Sequence, residues 1–169
     1  AGIIVGINNY AGHSHKGRRS ADDGYYNRAS LIQNVSAVTG AFMICRRTVF
    51  EELDGFDETF STACNDVDFC LRARERGYLN IFTPQAQAYH IESATRGYED
   101  TPEKVARFES EKKRFAERHS EILSNGDPYY NINLSVDTEQ FEIAPVLRAY
   151  YEKPQEHQPL SGHLLIPPA

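Results

Sequence analysis

The sequence predicts a single α/β domain, and three observations support this class. Short apolar runs of strand length, such as Ile3 to Ile7, alternate with segments whose apolar residues recur at helical spacing. The 169 residues are enough for one compact domain and too few for two ordinary ones. Hydrophobic residues make up 40% of the chain and charged residues 25%, as is usual for a globular protein with a buried core.

Charge and hydropathy argue against two classes of function. The net charge is −6 without a basic stripe, so nucleic-acid binding is not expected. No apolar run approaches the roughly 20 residues that cross a bilayer. The three cysteines have no C-x-x-C spacing and are expected to be reduced thiols of a cytosolic protein. We therefore expect a cytoplasmic location, with a peripheral position at the inner face of the plasma membrane as a further option.

The first part of the chain is predicted to form strands, a loop and a short helix. Ile3 to Ile7 is expected to be a buried strand, and Val38 to Cys45 a second strand. Residues 9–30 lack periodicity and are expected to form a long loop. Arg47 to Leu53 fits a short helix, which Gly55 would end in the left-handed conformation.

A second helix follows, and the sequence marks its start and its end. Asn65 can cap the helix, and Asp68 stands in the reciprocal position of a capping box. Gly77 is expected to end this helix. Leu79 to Phe82 and Gln87 to His90 predict two further strands.

The remaining chain is predicted to be helical and then irregular. Thr101 is a suitable cap, and Pro102 occupies the first helical position. Apolar residues on one face, among them Phe115 and Ile122, continue this helix to the region of Gly126. An aromatic, turn-rich segment follows, and from residue 144 onward the chain is a tail with several prolines.

Two carboxylates at the start of the second helix are the strongest candidates for chemistry. A carboxylate within hydrogen-bond reach can take the proton of a hydroxyl that attacks an electrophilic carbon. Asp66 is expected to be ionised at neutral pH, because the helix dipole favours negative charge in the first turn. Taken alone, the pattern favours structural functions, with Asp68 as a capping residue and Asp66 as an ordinary first-turn acid.

An ordered set of short motifs extends over most of the chain, from about Gly2 to about Ile143. The set comprises Val38-Thr39-Gly40-Ala41, Arg46-Arg47, Gly55-Phe56-Asp57-Glu58, Asp66-Val67-Asp68, Arg72, Gly77-Tyr78, Pro84, His90, Ser93-Ala94-Thr95-Arg96-Gly97 and Asp127-Pro128-Tyr129-Tyr130-Asn131. In order and spacing it resembles the acceptor half of inverting family 2 glycosyltransferases of GT-A fold. Two positions depart from the family pattern: Asn65 replaces the usual acid, and Asp54 stands where glycine is more common.

The resemblance implies a fold and a division of the chain. Residues 1–143 would form the C-terminal, acceptor-side part of a GT-A domain, a partial mixed sheet with packed helices. A helical extension would begin at about residue 101, and residues 144–169 would form a proline-rich tail.

The resemblance also implies functions for individual residues. Asp66 would be the general base, and Gly40 and Ala41 would form the floor of the acceptor site, beside Asn65 and Asp68.

A metal function is implied for one histidine. His90 would bind Mn²⁺ or Mg²⁺, since neutral imidazole is a good ligand when carboxylates and a diphosphate complete the shell. The alternative is a hydrogen-bonded histidine at the end of a strand.

The implied reaction is transfer of a sugar from a nucleotide-diphospho-sugar to a hydroxyl acceptor with inversion. The acceptor would be a carbohydrate or lipid-linked, and the setting bacterial polysaccharide or O-antigen assembly. No D-x-D motif follows a strand in this chain, so the donor-binding half is expected to be missing. The isolated chain is therefore expected to be inactive and to self-associate. A non-catalytic carbohydrate- or partner-binding domain is the alternative.

Overall fold

The computed structural model describes residues 2–19, 21–61, 63–90 and 101–146. These ranges contain the strands β1 (Gly2–Val5), β2 (Ala11–His13), β3 (Gln33–Val35), β4 (Ala37–Val38) and β5 (Asn80–Phe82), and the helices α1 (Arg47–Glu52), α2 (Asn65–Glu75), α3 (Pro102–Arg118) and α4 (Ser120–Asn125). The predicted α/β class is confirmed. The tail from residue 147 and the 93–97 motif lie outside the described residues.

The described strands form two small antiparallel sheets where one mixed sheet was expected. In the first sheet the order is β2-β1-β4, with Ile3 opposite both His13 and Ala37. In the second sheet β3 pairs with β5, with Asn34 opposite Ile81.

Strand β1 is buried on both faces and therefore lies at the centre of the fold. Ile3 and Val5 point to one face and pack in a core cluster with residues of α2 and with Phe115 of α3. Ile4 points to the other face and packs against a cluster that includes Tyr130. Because side chains alternate along a strand, the continuous apolar run of β1 serves two cores at once.

The ends of the first two helices follow from local backbone chemistry. At the end of α1 the N–H of Gly55 donates to the carbonyl of Phe50 at 2.8 Å, as in a Schellman motif. Asp54 precedes Gly55 and takes the first left-handed position, with a φ of 57°. Gly55 is itself left-handed, with a φ of 67°, so the prediction for Gly55 is confirmed and Asp54 shares its conformation. Gly77, with a φ of 86°, ends α2 as predicted.

Three sequence-based strand and loop predictions are wrong. The strand predicted for Val38 to Cys45 ends at Val38, because the side chain of Thr39 accepts the N–H of Ala41 and starts a 3-10 turn. The predicted loop 9–30 contains β2 and a 3-10 turn at Tyr25–Ser30. Residues 87–90 have no strand partner among the described residues and are exposed.

The long C-terminal helix is present but divided. Thr101 caps α3 by accepting the N–H of Lys104, and Pro102 is the first helical residue, as predicted. The helix stops at His119, and α4 continues from Ser120 to Asn125. None of the described helices is long and apolar enough to span a membrane.

Candidate functional site

The carboxylate of Asp66 is fixed at the surface by two backbone N–H groups. Its Oδ2 accepts the N–H of Gly40 at 2.7 Å across 26 positions of the chain, and its Oδ1 accepts the N–H of Val67 at 2.8 Å. Asp66 itself is half-buried, and its contact with Gly40 lies on the exposed side. A carboxylate held in this way has one orientation and remains accessible to a hydroxyl group.

The structure brings most of the predicted acceptor residues together around this carboxylate. Gly40 and Ala41 are exposed and open the 3-10 turn Gly40–Phe42. A Cβ atom on Gly40 would lie 3.2 Å from the Cβ of Asp66, so the close approach of the two segments favours glycine. The side-chain oxygen of Asn65 accepts the N–H of Asp66 at 2.8 Å.

The residue before Asn65 differs from the prediction for the helix start. The N-cap position of α2 is occupied by Cys64 and not by Asn65, and Cys64 adopts a left-handed φ of 71°. Its thiol is buried, and burial raises its pKa to about 12. Tyr10 packs beside it, and burial raises the pKa of that phenol as well. Both groups are therefore uncharged at neutral pH.

Asp68 lies on the buried side of α2, and the capping-box prediction for it is wrong. Its side chain has no exposed surface and accepts hydrogen bonds from Arg72 at 2.8 Å and Arg118 at 2.9 Å, with His119 Nε2 also at 2.9 Å. Burial favours a higher pKa for Asp68, but the hydrogen bonds from His119, Arg118 and Arg72 outweigh it and hold the pKa below its usual value. Asp68 thus has no surface with which to contact an acceptor.

The sequence-based prediction missed Arg118 and His119, which close this buried cluster. Arg118 also binds Asp57 at 2.6 Å, and hydrogen bonds from Thr59 and then from Arg118 lower the pKa of Asp57. A signal was present in the sequence: His119 stands four positions after Phe115 on the apolar face of the helix. A histidine in such a position is expected to be buried and paired.

The structure places His90 away from any assembled metal site. His90 is exposed and immediately precedes the residues 91–100 that are not described. Within the described ranges no three His, Cys, Asp or Glu side chains lie close enough together to hold a metal ion. The described residues therefore do not form a metal site around His90, and its metal function stays a prediction.

Two cavities in the described part of the chain lie apart from the candidate site. One is lined by residues of β1 and of the segment around Tyr130, and the other, of about 380 Å³, lies between α2 and α4. Neither cavity is lined by Asp66 or Gly40. The candidate site is therefore the exposed contact between Asp66 and Gly40 and not one of these two cavities.

The chain is similar in sequence to parts of three longer proteins. It is 41% identical over 145 residues to the protein y4gI of Sinorhizobium fredii, covering 85% of this chain and 16% of that protein. It is 34% identical over 140 residues to the O-antigen biosynthesis protein RfbC of Myxococcus xanthus, covering 80% and 10%. Over 86 residues, 51% of this chain and 28% of the relative, it is 29% identical to the N-acetylglucosaminyl-diphospho-decaprenol L-rhamnosyltransferase of Mycobacterium tuberculosis.

The chain spans 16% and 10% of the lengths of the first two of these relatives. No family model matches the chain, and no solved structure matches it. The two informative names describe O-antigen biosynthesis and rhamnosyl transfer. The chain is thus related in sequence to a part of a glycosyltransferase and to a part of a protein of O-antigen biosynthesis.

Proposed function

We propose that the chain forms the acceptor side of an inverting, family 2-like glycosyltransferase of GT-A fold. The protein that contains it would transfer a sugar from a nucleotide-diphospho-sugar to a hydroxyl of a carbohydrate or lipid-linked acceptor. The observation that supports this most is the accessible carboxylate of Asp66, held by the N–H of Gly40 at 2.7 Å. The names of the relatives, O-antigen biosynthesis and rhamnosyl transfer, favour polysaccharide assembly as the setting.

In this proposal Asp66 is the general base. The acceptor oxygen attacks the anomeric carbon of the donor sugar from the side opposite the diphosphate. The new carbon–oxygen bond forms as the bond to the diphosphate breaks, and the electron pair of the broken bond leaves with the diphosphate. The proton of the attacking hydroxyl passes to Asp66, so the carboxylate of Asp66 must lie within hydrogen-bond reach of that hydroxyl.

The hydrogen bonds to Asp66 leave it able to take that proton. An ionised carboxylate has about four lone-pair sites, and two backbone N–H groups occupy only one on each oxygen. Positioning of this kind contributes about 10²- to 10⁴-fold to a proton-transfer step.

The donor site and the metal belong to the wider proposal. We place the nucleotide-sugar site outside the described residues, and we assign His90 to a Mn²⁺ or Mg²⁺ ion that would be completed by ligands of that site. When bound, such an ion would neutralise charge on the leaving diphosphate.

The direct test is sugar transfer by the protein that contains this chain. Asp66→Asn should lower turnover by about 10²- to 10⁴-fold while changing the melting temperature little. Asp54→Asn is the matched control, because it makes the same chemical change at an exposed residue and asparagine also tolerates the left-handed backbone. Wild-type turnover in Asp66→Asn would reject Asp66 as the base. Saccharide binding with no transfer would favour the binding-domain alternative.

A further inference from the structure

The buried side chain of Glu111, on α3, binds the loop that leads into α2. Only 3% of its surface is exposed. Its Oε1 accepts the N–H of Ser61 at 3.1 Å and the hydroxyl of Ser61 at 2.8 Å, and its Oε2 accepts the N–H of Ala63 at 2.7 Å. One buried carboxylate thus binds two backbone groups that are 48 and 50 positions away in the chain.

Two more side chains of α3 bind the same loop. Arg114 donates to the carbonyl of Thr59, and Arg118 binds the carboxylate of Asp57 at 2.6 Å. Glu111, Arg114 and Arg118 follow one another at spacings of three and four residues, so they lie on one face of the helix. Side chains on this face of α3 therefore bind the loop at four residues: Asp57, Thr59, Ser61 and Ala63.

The loop ends in a strained residue directly before the candidate base. Cys64 has a φ of 71°, a conformation that residues other than glycine rarely adopt. Backbone of this kind persists only where the surrounding structure holds it. The carbonyl of Cys64 accepts the N–H of Asp68 at 2.7 Å, so Cys64 sets the start of α2. The hydrogen bond from Ala63 to Glu111 thus restrains Cys64, the residue that orients Asp66 toward Gly40.

We infer that Glu111 is a positioning residue for Asp66. It acts through Ala63 and Cys64 and does not reach the reacting atoms, since it is buried behind the loop. Its effect on turnover rests on the proposed function, whereas its effect on the Asp66–Gly40 contact does not. α3 is accordingly part of the machinery of the site and more than an extension packed on the domain.

The first test uses amide hydrogen exchange in the chain, measured at single-residue resolution. Glu111→Gln keeps the size of the side chain, but its NH₂ group cannot accept an N–H. We expect the amides of Ser61 or Ala63 to exchange about tenfold faster or more, and the amide of Gly40 to exchange faster as well, because its acceptor Asp66 moves. Glu117→Gln is the matched control, an identical change at an exposed position of α3. Unchanged exchange at Gly40, with faster exchange at Ser61 or Ala63, would overturn the inference.

The second test uses transfer kinetics in the protein that contains the chain. We expect Glu111→Gln to lower kcat about tenfold with little change in donor KM, and Glu111→Asp, which keeps the charge on a shorter stem, to recover part of the loss. If Glu111→Gln does not fold, Glu111→Asp is compared with the wild type in both tests. A folded Glu111→Gln variant with wild-type kcat would overturn the inference. If the wild type transfers no sugar, the proposed function fails, and exchange at Gly40 alone decides the inference.

Discussion

The Nε2 atom of His119 lies 2.9 Å from Oδ1 of Asp68, although 51 positions separate the two residues in the chain. Both side chains are buried, and Arg72 and Arg118 bind the same carboxylate. This cluster joins the end of α3 to the first turns of α2, two residues after Asp66. Asp68, on the buried side of α2, therefore anchors the helix that presents Asp66 to solvent.

The first prediction concerns the stability that this cluster provides. Asp68→Asn should lower the free energy of unfolding by about 1–3 kcal/mol, because it weakens the hydrogen bonds that Arg72, Arg118 and His119 make to a carboxylate with no exposed surface. Urea unfolding followed by circular dichroism measures the change. Glu51→Gln, which breaks an exposed ion pair with Arg47, should cost less than about 1 kcal/mol. A loss below about 1 kcal/mol for Asp68→Asn, as for an exposed pair, would contradict this prediction.

Local signals explain what the sequence could predict about this fold. The Thr101-Pro102 cap, the end of α2 at Gly77 and the position of Asp66 in the first turn depend on neighbouring residues, and all three are present in the structure. The strand predicted for Val38 to Cys45 ends early for a local reason too. The hydroxyl of Thr39 accepts a backbone N–H and so offers the backbone an alternative to the sheet.

Long-range partners explain what the sequence could not predict about the site. Asp68 has the spacing of a capping-box residue, but its partners Arg118 and His119 come from a helix about 50 positions away. No sequence pattern around Asp68 predicts that Arg118 and His119 bind it. Asp66 itself was placed correctly at the helix start, while its hydrogen bond to Gly40 depends on how α2 docks beside β4. The position of Asp66 could therefore be predicted from the sequence, whereas its hydrogen bond to Gly40 could not.

The second prediction concerns pH and His15. Its Nε2 accepts the N–H of Tyr25 at 3.3 Å, and its ring stacks on Phe141 at 4.6 Å. Burial, with help from nearby Arg18 and Arg28, lowers the pKa of His15. The unfolded chain, with an ordinary pKa of about 6.5, then binds the proton at a higher pH than the fold does. Stability should therefore fall as the pH drops below about 6.5, until the pKa in the folded state is reached.

Urea unfolding between neutral pH and about pH 5 measures this loss. His15→Gln should flatten the pH dependence, because the amide oxygen of glutamine can accept the same N–H without titrating. His13→Gln is the control, since His13 is exposed and should leave the dependence as it is. An equal flattening by both variants would show that burial of His15 is not the cause.

The third prediction concerns His90 in the protein that contains the chain. If His90 binds the metal, His90→Ala should raise the Mn²⁺ concentration for half-maximal transfer about tenfold or more, since one ligand is lost. His13→Ala removes an exposed histidine elsewhere and should leave the metal response unchanged. Titration of activity with Mn²⁺ measures both. An unaltered response in His90→Ala would exclude His90 from the metal shell.

The fourth prediction concerns an exposed apolar face on the sheet of β3 and β5. Ile81 is 54% exposed and lies opposite Asn34, on the side of the pair away from buried Val35. Ile32 and Leu79, 62% and 57% exposed, directly precede the two strands. Apolar side chains exposed on one face of a small sheet favour association with another surface. We therefore expect the isolated chain to self-associate through this face.

Light scattering coupled to gel filtration measures this association. The wild-type chain should be larger than a monomer, and Ile81→Lys should shift it to the monomer by placing a charge at the centre of the face. Val105→Lys, at an apolar residue of α3 that is 46% exposed, should leave the association unchanged.

Calorimetry with UDP- and dTDP-sugars and Mn²⁺ should show no binding tighter than millimolar, roughly −4 kcal/mol. A monomeric wild type that binds a nucleotide sugar at micromolar concentration would contradict this prediction and would mean that the chain itself contains a donor site.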